Sequence, residues 1–261
     1  MEKEKVVKGF LEKKEFTDPQ SIFMNKFQLK APIEEIKEYY SQNKSKINLN
    51  FQDDDDYYPL HQVVLLKNIY YVQFIVDNLP NKGKDINNVD SIGNSALHVA
   101  VTLKNNEEII NYLINNGADV NLKNSKQQTP LHLACGKNRI EGVNILLSDP
   151  KINYNSVDNQ GFTPLIKACA SQAYEVVKAF LRSNEININF QDKIGNTALH
   201  YLCEDEKYDI AIEFIKKGGD IEIKNNEGKS PLELIKSDDI KSIIKYILYL
   251  ITKNAFIHFI L

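Results

Sequence analysis

Six tetrapeptides of this chain superimpose at almost constant spacing: Tyr58-Pro-Leu-His61, Ser95-Ala-Leu-His98, Thr129-Pro-Leu-His132, Thr163-Pro-Leu-Ile166, Thr197-Ala-Leu-His200 and Ser230-Pro-Leu-Glu233. Their leucines (Leu60, Leu97, Leu131, Leu165, Leu199 and Leu232) are separated by 37, 34, 34, 34 and 33 residues. A fixed period of this size means stacked supersecondary units that each touch their neighbours, not one centrally packed core. All 261 residues therefore fit in a single elongated domain, because a solenoid grows by adding units.

The same grammar recurs inside each period. A turn signal (Asp90-Ser-Ile-Gly93, Asp158-Asn-Gln-Gly161, Asp192-Lys-Ile-Gly195 or Asn225-Asn-Glu-Gly228) leads into the tetrapeptide. Thr or Ser followed by Pro starts a helix: the hydroxyl caps orphan amides and proline's fixed φ suits the first turn. A second apolar set follows, as in Val176, Val177, Phe180 and Leu181, or Ile210, Ala211, Phe214 and Ile215. That is one face of a second helix. Asn116-Gly-Ala-Asp-Val-Asn121 or Gly218-Gly-Asp-Ile-Glu222 then closes the unit, with glycine supplying a left-handed cap.

Helix, tight turn, helix and polar hairpin in this order, with these motifs, resemble the ankyrin-repeat family over residues 53–235. The fold class expected is an all-α ankyrin-repeat solenoid of about seven repeats. Residues 21–29 and 32–40 read as the helices of a divergent first cap, and the last unit is the other cap. The organisation expected is a charged extension at 1–16, an ankyrin-repeat domain at 17–250 and an apolar tail at 251–261. Asp53–Asp56 forms an acidic run, and residues 80–84 are a loop insertion that explains the 37-residue step. A membrane span needs about 20 mainly apolar residues, and Lys245, Lys253 and Asn254 interrupt the tail. It is expected to pack on the last repeat or to end in disorder; a tail-anchored adaptor using 243–261 is the competing reading.

Net charge is −3 and 26% of residues are charged, so no basic footprint for nucleic acid exists. The alternating charges at the N-terminus lack the apolar run of a secretory signal. A cytoplasmic and nuclear protein is expected, acting as a monomer. Cys135, Cys169 and Cys203 recur every 34 residues. Neighbouring helices pack roughly 8–10 Å apart and a disulfide needs Cα atoms within roughly 7 Å, so three buried free thiols are expected.

Four of the five histidines, His61, His98, His132 and His200, take the fourth tetrapeptide place. His132/Cys135 and His200/Cys203 mimic half a zinc site, but the stacking distance keeps further ligands away. Each histidine is expected to bond a neighbouring hairpin backbone. No phosphate loop, nucleophile elbow or His-Glu-x-x-His is present, so neither an enzyme nor a cofactor or metal is expected.

Function is then assigned to the surface the repeats leave free. The residue after each turn glycine, or its equivalent, forms a column: Tyr57, Asn94, Gln128, Phe162, Asn196 and Lys229. Its aromatic members suit interface anchors. Lys137 and Arg139 offer cations in one unit, and Glu204, Asp205 and Glu206 offer carboxylates two units on.

These charged clusters and the repeat count are similar to the gankyrin family, collinear over about 20–236. The resemblance implies a proteasome assembly chaperone holding the C-terminal helical domain of a regulatory-particle ATPase subunit. It implies that Lys137 meets acidic and Asp205 meets basic residues of that subunit. Two departures stand out. Tyr201-Leu-Cys-Glu-Asp205 lacks the leucine and final glutamate of the family's retinoblastoma-pocket motif, and Tyr57 replaces a family arginine. The alternative function is a generic adaptor or inhibitor of another protein, such as a kinase or transcription regulator.

Overall fold

The computed structural model describes residues 17–53, 56–183 and 185–260, with side chains left aside at 252 and 254–260. The extension expected at 1–16, and Asp54 and Asp55 of the acidic run, lie outside the described residues. Seven helix pairs follow one another: α1 (Pro19–Gln28) with α2 (Ile33–Asn43), α3 (Pro59–Leu65) with α4 (Ile69–Asp77), and, after the single turn α5 (Lys82–Asp85), α6 (Ala96–Ala100) with α7 (Glu107–Asn115). Then come α8 (Pro130–Gly136) with α9 (Ile140–Leu147), α10 (Pro164–Ala170) with α11 (Tyr174–Phe180), α12 (Ala198–Glu204) with α13 (Tyr208–Lys216), and α14 (Pro231–Leu234) with α15 (Asp238–Ile260). The insertion after Pro80 is thus a helical turn, and α15 stays helical across residue 250.

Local chemistry sets each boundary. Ser95, Thr163 and Ser230 are extended N-caps whose hydroxyls accept the amides of His98, Ile166 and Glu233 at 3.3–3.4 Å, and proline fills the first turn of α8, α10 and α14. The same place after the first helix turns left-handed in every full unit: Lys67, Asn105, Asn138, Gln172 and Glu206 have φ between 51° and 58°. The next amide then reaches back across the helix end, as Ala173 N to Ala168 O (2.9 Å) and Lys207 N to Leu202 O (2.8 Å). Such caps stop the helix and satisfy its orphan carbonyls.

First helices of five to seven residues are too short to persist alone in water, so stacking stabilises them. First helices pack on first helices and, along most of the array, second on second, giving two layers. Leu97 and Leu199 have no exposed surface, and Leu60, Leu131 and Leu165 retain 3% or less. Cys135, Cys169 and Cys203 lie among them as free thiols without exposed surface, and burial pushes their pKa values up, that of Cys203 to about 12.

The first unit has no tetrapeptide and is held differently. Phe27 packs on Phe23 and on the Tyr71 ring, each at 5.1 Å, and Tyr40 meets Phe74 edge-on at 5.3 Å. The Tyr71 hydroxyl donates to Ala31 O at 2.7 Å. Aromatic burial therefore takes the place of the histidine clamp at this junction, beside the polar ties of Tyr71 and Asn88.

Candidate partner-binding face

The histidines define what is structural. His61, His98, His132 and His200 donate from Nε2 to the carbonyls of Asn94, Gln128, Phe162 and Lys229 in the next unit, at 2.8, 3.1, 2.9 and 3.0 Å. In three of them Nδ1 accepts the backbone amide of the N-cap residue, Ser95, Thr129 or Thr197, at 3.0–3.2 Å. That arrangement fixes the neutral Nε2–H tautomer. Burial holds all four pKa values below the usual histidine range, that of His98 at about 4. Each imidazole is thus a neutral clamp between units, as the spacing predicted.

His61 is the incomplete clamp, because Tyr58 stands where later units have Ser or Thr and the buried Nδ1 has no partner among the described residues. Replacing Tyr58 by Thr supplies a cap and a bond, and is expected to stabilise the fold by about 1 kcal/mol. A higher urea midpoint is the readout. A lower one would mean that the ring, 5.9 Å from His61, contributes more than the missing bond.

The hairpins are built by one carboxylate or amide each. Asp158 Oδ1 accepts the amides of Gln160 and Phe162 at 2.8 and 3.0 Å; Asp192 does the same for Ile194 and Asn196, both at 2.9 Å. At the first hairpin Asp53 accepts the Tyr57 amide at 2.8 Å and the Gln62 side chain. The tips bond to one another through the main chain, with Ser125 N to Ile92 O, Asn159 N to Lys126 O and Asn226 N to Ile194 O all at 3.0 Å.

A second ladder escaped the sequence reading. Asn87, Asn121, Asn155 and Asn189 recur every 34 residues, and each side chain both donates to and accepts from the next unit's backbone. Asn155, for example, donates to Glu185 O at 2.9 Å and accepts from Asn187 N at 2.8 Å.

These ties decide which expected contact residues are free. Gln128 and Asn196 are 9% and 8% exposed. Gln128 donates to Asp158 at 3.4 Å, and Asn196 accepts from Asn225 at 2.8 Å. Asn94 likewise accepts from Asn124 at 2.9 Å. These three amides of the column are taken up by the stack. Tyr57 and Phe162 are half-buried, and Lys229 is exposed beside Glu227 at 3.2 Å.

Phe162 lies at the centre of a group the column did not include. Its ring meets Tyr201 edge-on at 6.4 Å, and Lys167 Nζ stands 5.3 Å from its centroid. The Tyr201 hydroxyl donates to Asp192 at 2.6 Å. Lys167 and Tyr201 belong to the first-helix positions two residues beyond the repeat leucine: Gln62, Val99, Leu133, Lys167, Tyr201 and Leu234, all half-buried. A helix that buries the leucine and the residues beyond this place leaves it facing outward, so the signal was present in the spacing.

The charged clusters sit where the first helices end. The Lys137 side chain is exposed, with no hydrogen bond or ion pair among the described residues, whereas Arg139 donates from Nε to Thr102 O at 2.8 Å. Glu204 is exposed and unpaired among the described residues. Asp205 accepts from Gln172 Nε2 at 3.0 Å and from the Tyr174 hydroxyl at 2.9 Å. Burial and that bond push the Tyr174 pKa up to about 12. Glu206 pairs with Lys236 at 2.9 Å, and that bond holds its pKa below the usual range.

Seven helix pairs, joined by hairpins and clamped unit to unit, define a repeat protein whose units are an ankyrin unit in every part. The sequence matches the profile of ankyrin repeats in three copies over residues 34–124 and 104–192, and of a single ankyrin repeat over 194–226. The chain belongs to the ankyrin-repeat family. Its structure is similar to the crystal structure of the ankyrin repeat domain of Bcl-3, described as a unique member of the IkappaB protein family, with TM-score 0.74, 21% identity and coverage of 89% of this chain and 100% of that one. It is also similar to EF0377, an ankyrin repeat protein, with TM-score 0.63, 27% identity and coverage of 73% and 96%. Comparison with curated proteins gives no significant match. Ankyrin repeats imply a protein partner. Among the described residues no helix is long and apolar enough to cross a membrane.

Proposed function

We propose that this chain is a non-catalytic binding protein that holds a folded protein against the side formed by its hairpins and first helices. The finer reading is that the partner is the C-terminal helical domain of a proteasomal ATPase, held as gankyrin-type assembly chaperones hold theirs, in the cytoplasm and nucleus. One observation carries the proposal: Lys137 and Glu204, exposed and without an ion pair among the described residues, end first helices two units apart, roughly 20 Å at helix-packing distances. Between them lie Phe162, Lys167 and Tyr201, an aromatic group of the kind that anchors interfaces. The imidazoles of His61, His98, His132 and His200 and the three thiols are buried in the stack.

Asp205 and Glu206 support this reading less directly, since both are engaged within the chain. The Glu206–Lys236 pair is exposed on both sides, and such pairs contribute little and exchange readily for a partner's cation. The test is affinity purification of the full chain at two salt concentrations, with identification of the bound proteins. Regulatory-particle ATPase subunits should be recovered, less at high salt, because exposed pairs are screened. Lys137→Glu and Glu204→Lys should each weaken capture at least tenfold. Recovery of a kinase or transcription regulator without ATPase subunits would leave a general adaptor and remove the chaperone reading. Capture that ignores both reversals would remove this face as the site.

A further inference from the structure

The last helix carries a surface that the repeat does not use. At 23 residues α15 is about 35 Å long, while α13, on which it packs, has nine residues. Its inner side is occupied: Ile244 has no exposed surface, and Ile240 and Leu248 pack on the core. On the other side Ile243, Tyr246, Tyr249 and Leu250 are 48%, 62%, 56% and 38% exposed. At 100° per residue these four fall within about a third of the helix circumference. No other described helix exposes more than one large apolar side chain.

The charges along this helix run from acidic in its first turn, Asp238 and the exposed Asp239, to basic beyond it. Beyond Asp239 the charged residues of α15 are Lys241, Lys245 and Lys253. Lys241 leans on Asp238 at 3.6 Å. Lys245 and Lys253 are exposed without an ion pair among the described residues, Lys253 standing 6.0 Å from the Tyr249 centroid. We infer that α15 binds an anionic lipid surface, lying in its plane with Ile243, Tyr246 and Leu250 at the acyl boundary and Lys245 and Lys253 among the headgroups. The helix is not long and apolar enough to cross a membrane. An apolar stripe with lysines and tyrosines is instead the composition of helices that rest at the interface. Charge favours lipid over a second copy set in parallel, because that pairing brings Lys245 and Lys253 against their own counterparts, whereas anionic headgroups attract each one.

Vesicle flotation of the full chain tests this, comparing phosphatidylcholine vesicles with vesicles in which one lipid in three is phosphatidylserine. The chain should float with the phosphatidylserine vesicles at low salt, fall away as salt rises, and stay unbound on pure phosphatidylcholine. Lys245→Gln with Lys253→Gln should weaken partitioning roughly thirty-fold. Ile243→Ser, Tyr246→Ser and Leu250→Ser together should abolish it while leaving the thermal midpoint unchanged. Absence of flotation, or equal flotation with both lipids, would overturn the inference. So would a dimer, seen by light scattering without lipid, that the triple serine variant dissociates.

Discussion

Acidification is expected to unfold this chain through its histidines. The unfolded imidazoles titrate near 6.5, while burial holds those of His61, His98, His132 and His200 lower in the fold, His98 at about 4. Between the folded and unfolded values the unfolded chain binds more protons, so stability falls as pH falls. Above about pH 7 both states are neutral and this dependence disappears. For His98 the displacement corresponds to a loss of about 2 kcal/mol at pH 5 and about 3 kcal/mol at pH 4, and the other three histidines act in the same direction. Carboxylates with lowered values, such as Glu206 and Glu233, respond only below their ordinary range, so the interval from 6.5 to 5 reports the imidazoles. Urea midpoints measured at pH 7.5, 6 and 5 should decline steadily. A flat profile would mean that the imidazoles are solvated and do not clamp the units.

Gly195→Ala is expected to be strongly destabilising. Gly195 has φ +81°, and a Cβ there would lie 2.7 Å from Asn226 N and 2.9 Å from Asn225 Cα. Those atoms belong to the next hairpin's backbone, and the displaced amide is the one that donates to Ile194 O at 3.0 Å. Strain and loss of the inter-unit bond together are worth roughly 3 kcal/mol. The converse holds at Gln127, which adopts φ +58° where four other hairpins have Gly93, Gly161, Gly195 or Gly228 and the first has Asp56 at φ +61°. Gln127→Gly relieves that conformation and is expected to raise stability by up to about 1 kcal/mol. Thermal unfolding of both variants checks the pair; equal midpoints would show that the tips are not held in register.

The period, the caps and the histidine clamps were legible because each is a local chemical requirement repeated in one order. Ser95 caps its own helix, and His98 three residues on reaches the next hairpin's backbone at Gln128 O. The asparagine ladder was harder, since Asn155 says nothing about its role until the backbone of residues 185–187 lies beside it. Its 34-residue recurrence was nevertheless in plain view. The column after the turn glycine was read as facing a partner, yet spacing cannot tell outward from sideways. Gln128 and Asn196 turn toward neighbouring hairpins, while Phe162 stays at the surface. Lys167 and Tyr201 stand two residues beyond a buried repeat leucine, and that spacing alone leaves them facing outward. Gln127 hid a hairpin, because the turn it forms normally needs glycine.

The central claim is that the stack absorbs the motifs and leaves the hairpin and first-helix side to bind a protein. Hydrogen exchange of the full chain, free and with the protein recovered by affinity purification, tests it most directly. Added protection is expected at 136–139, at 160–162 and at 201–207, with little change on the outer helices at 140–147 and 174–180. Protection confined to those outer helices would contradict it.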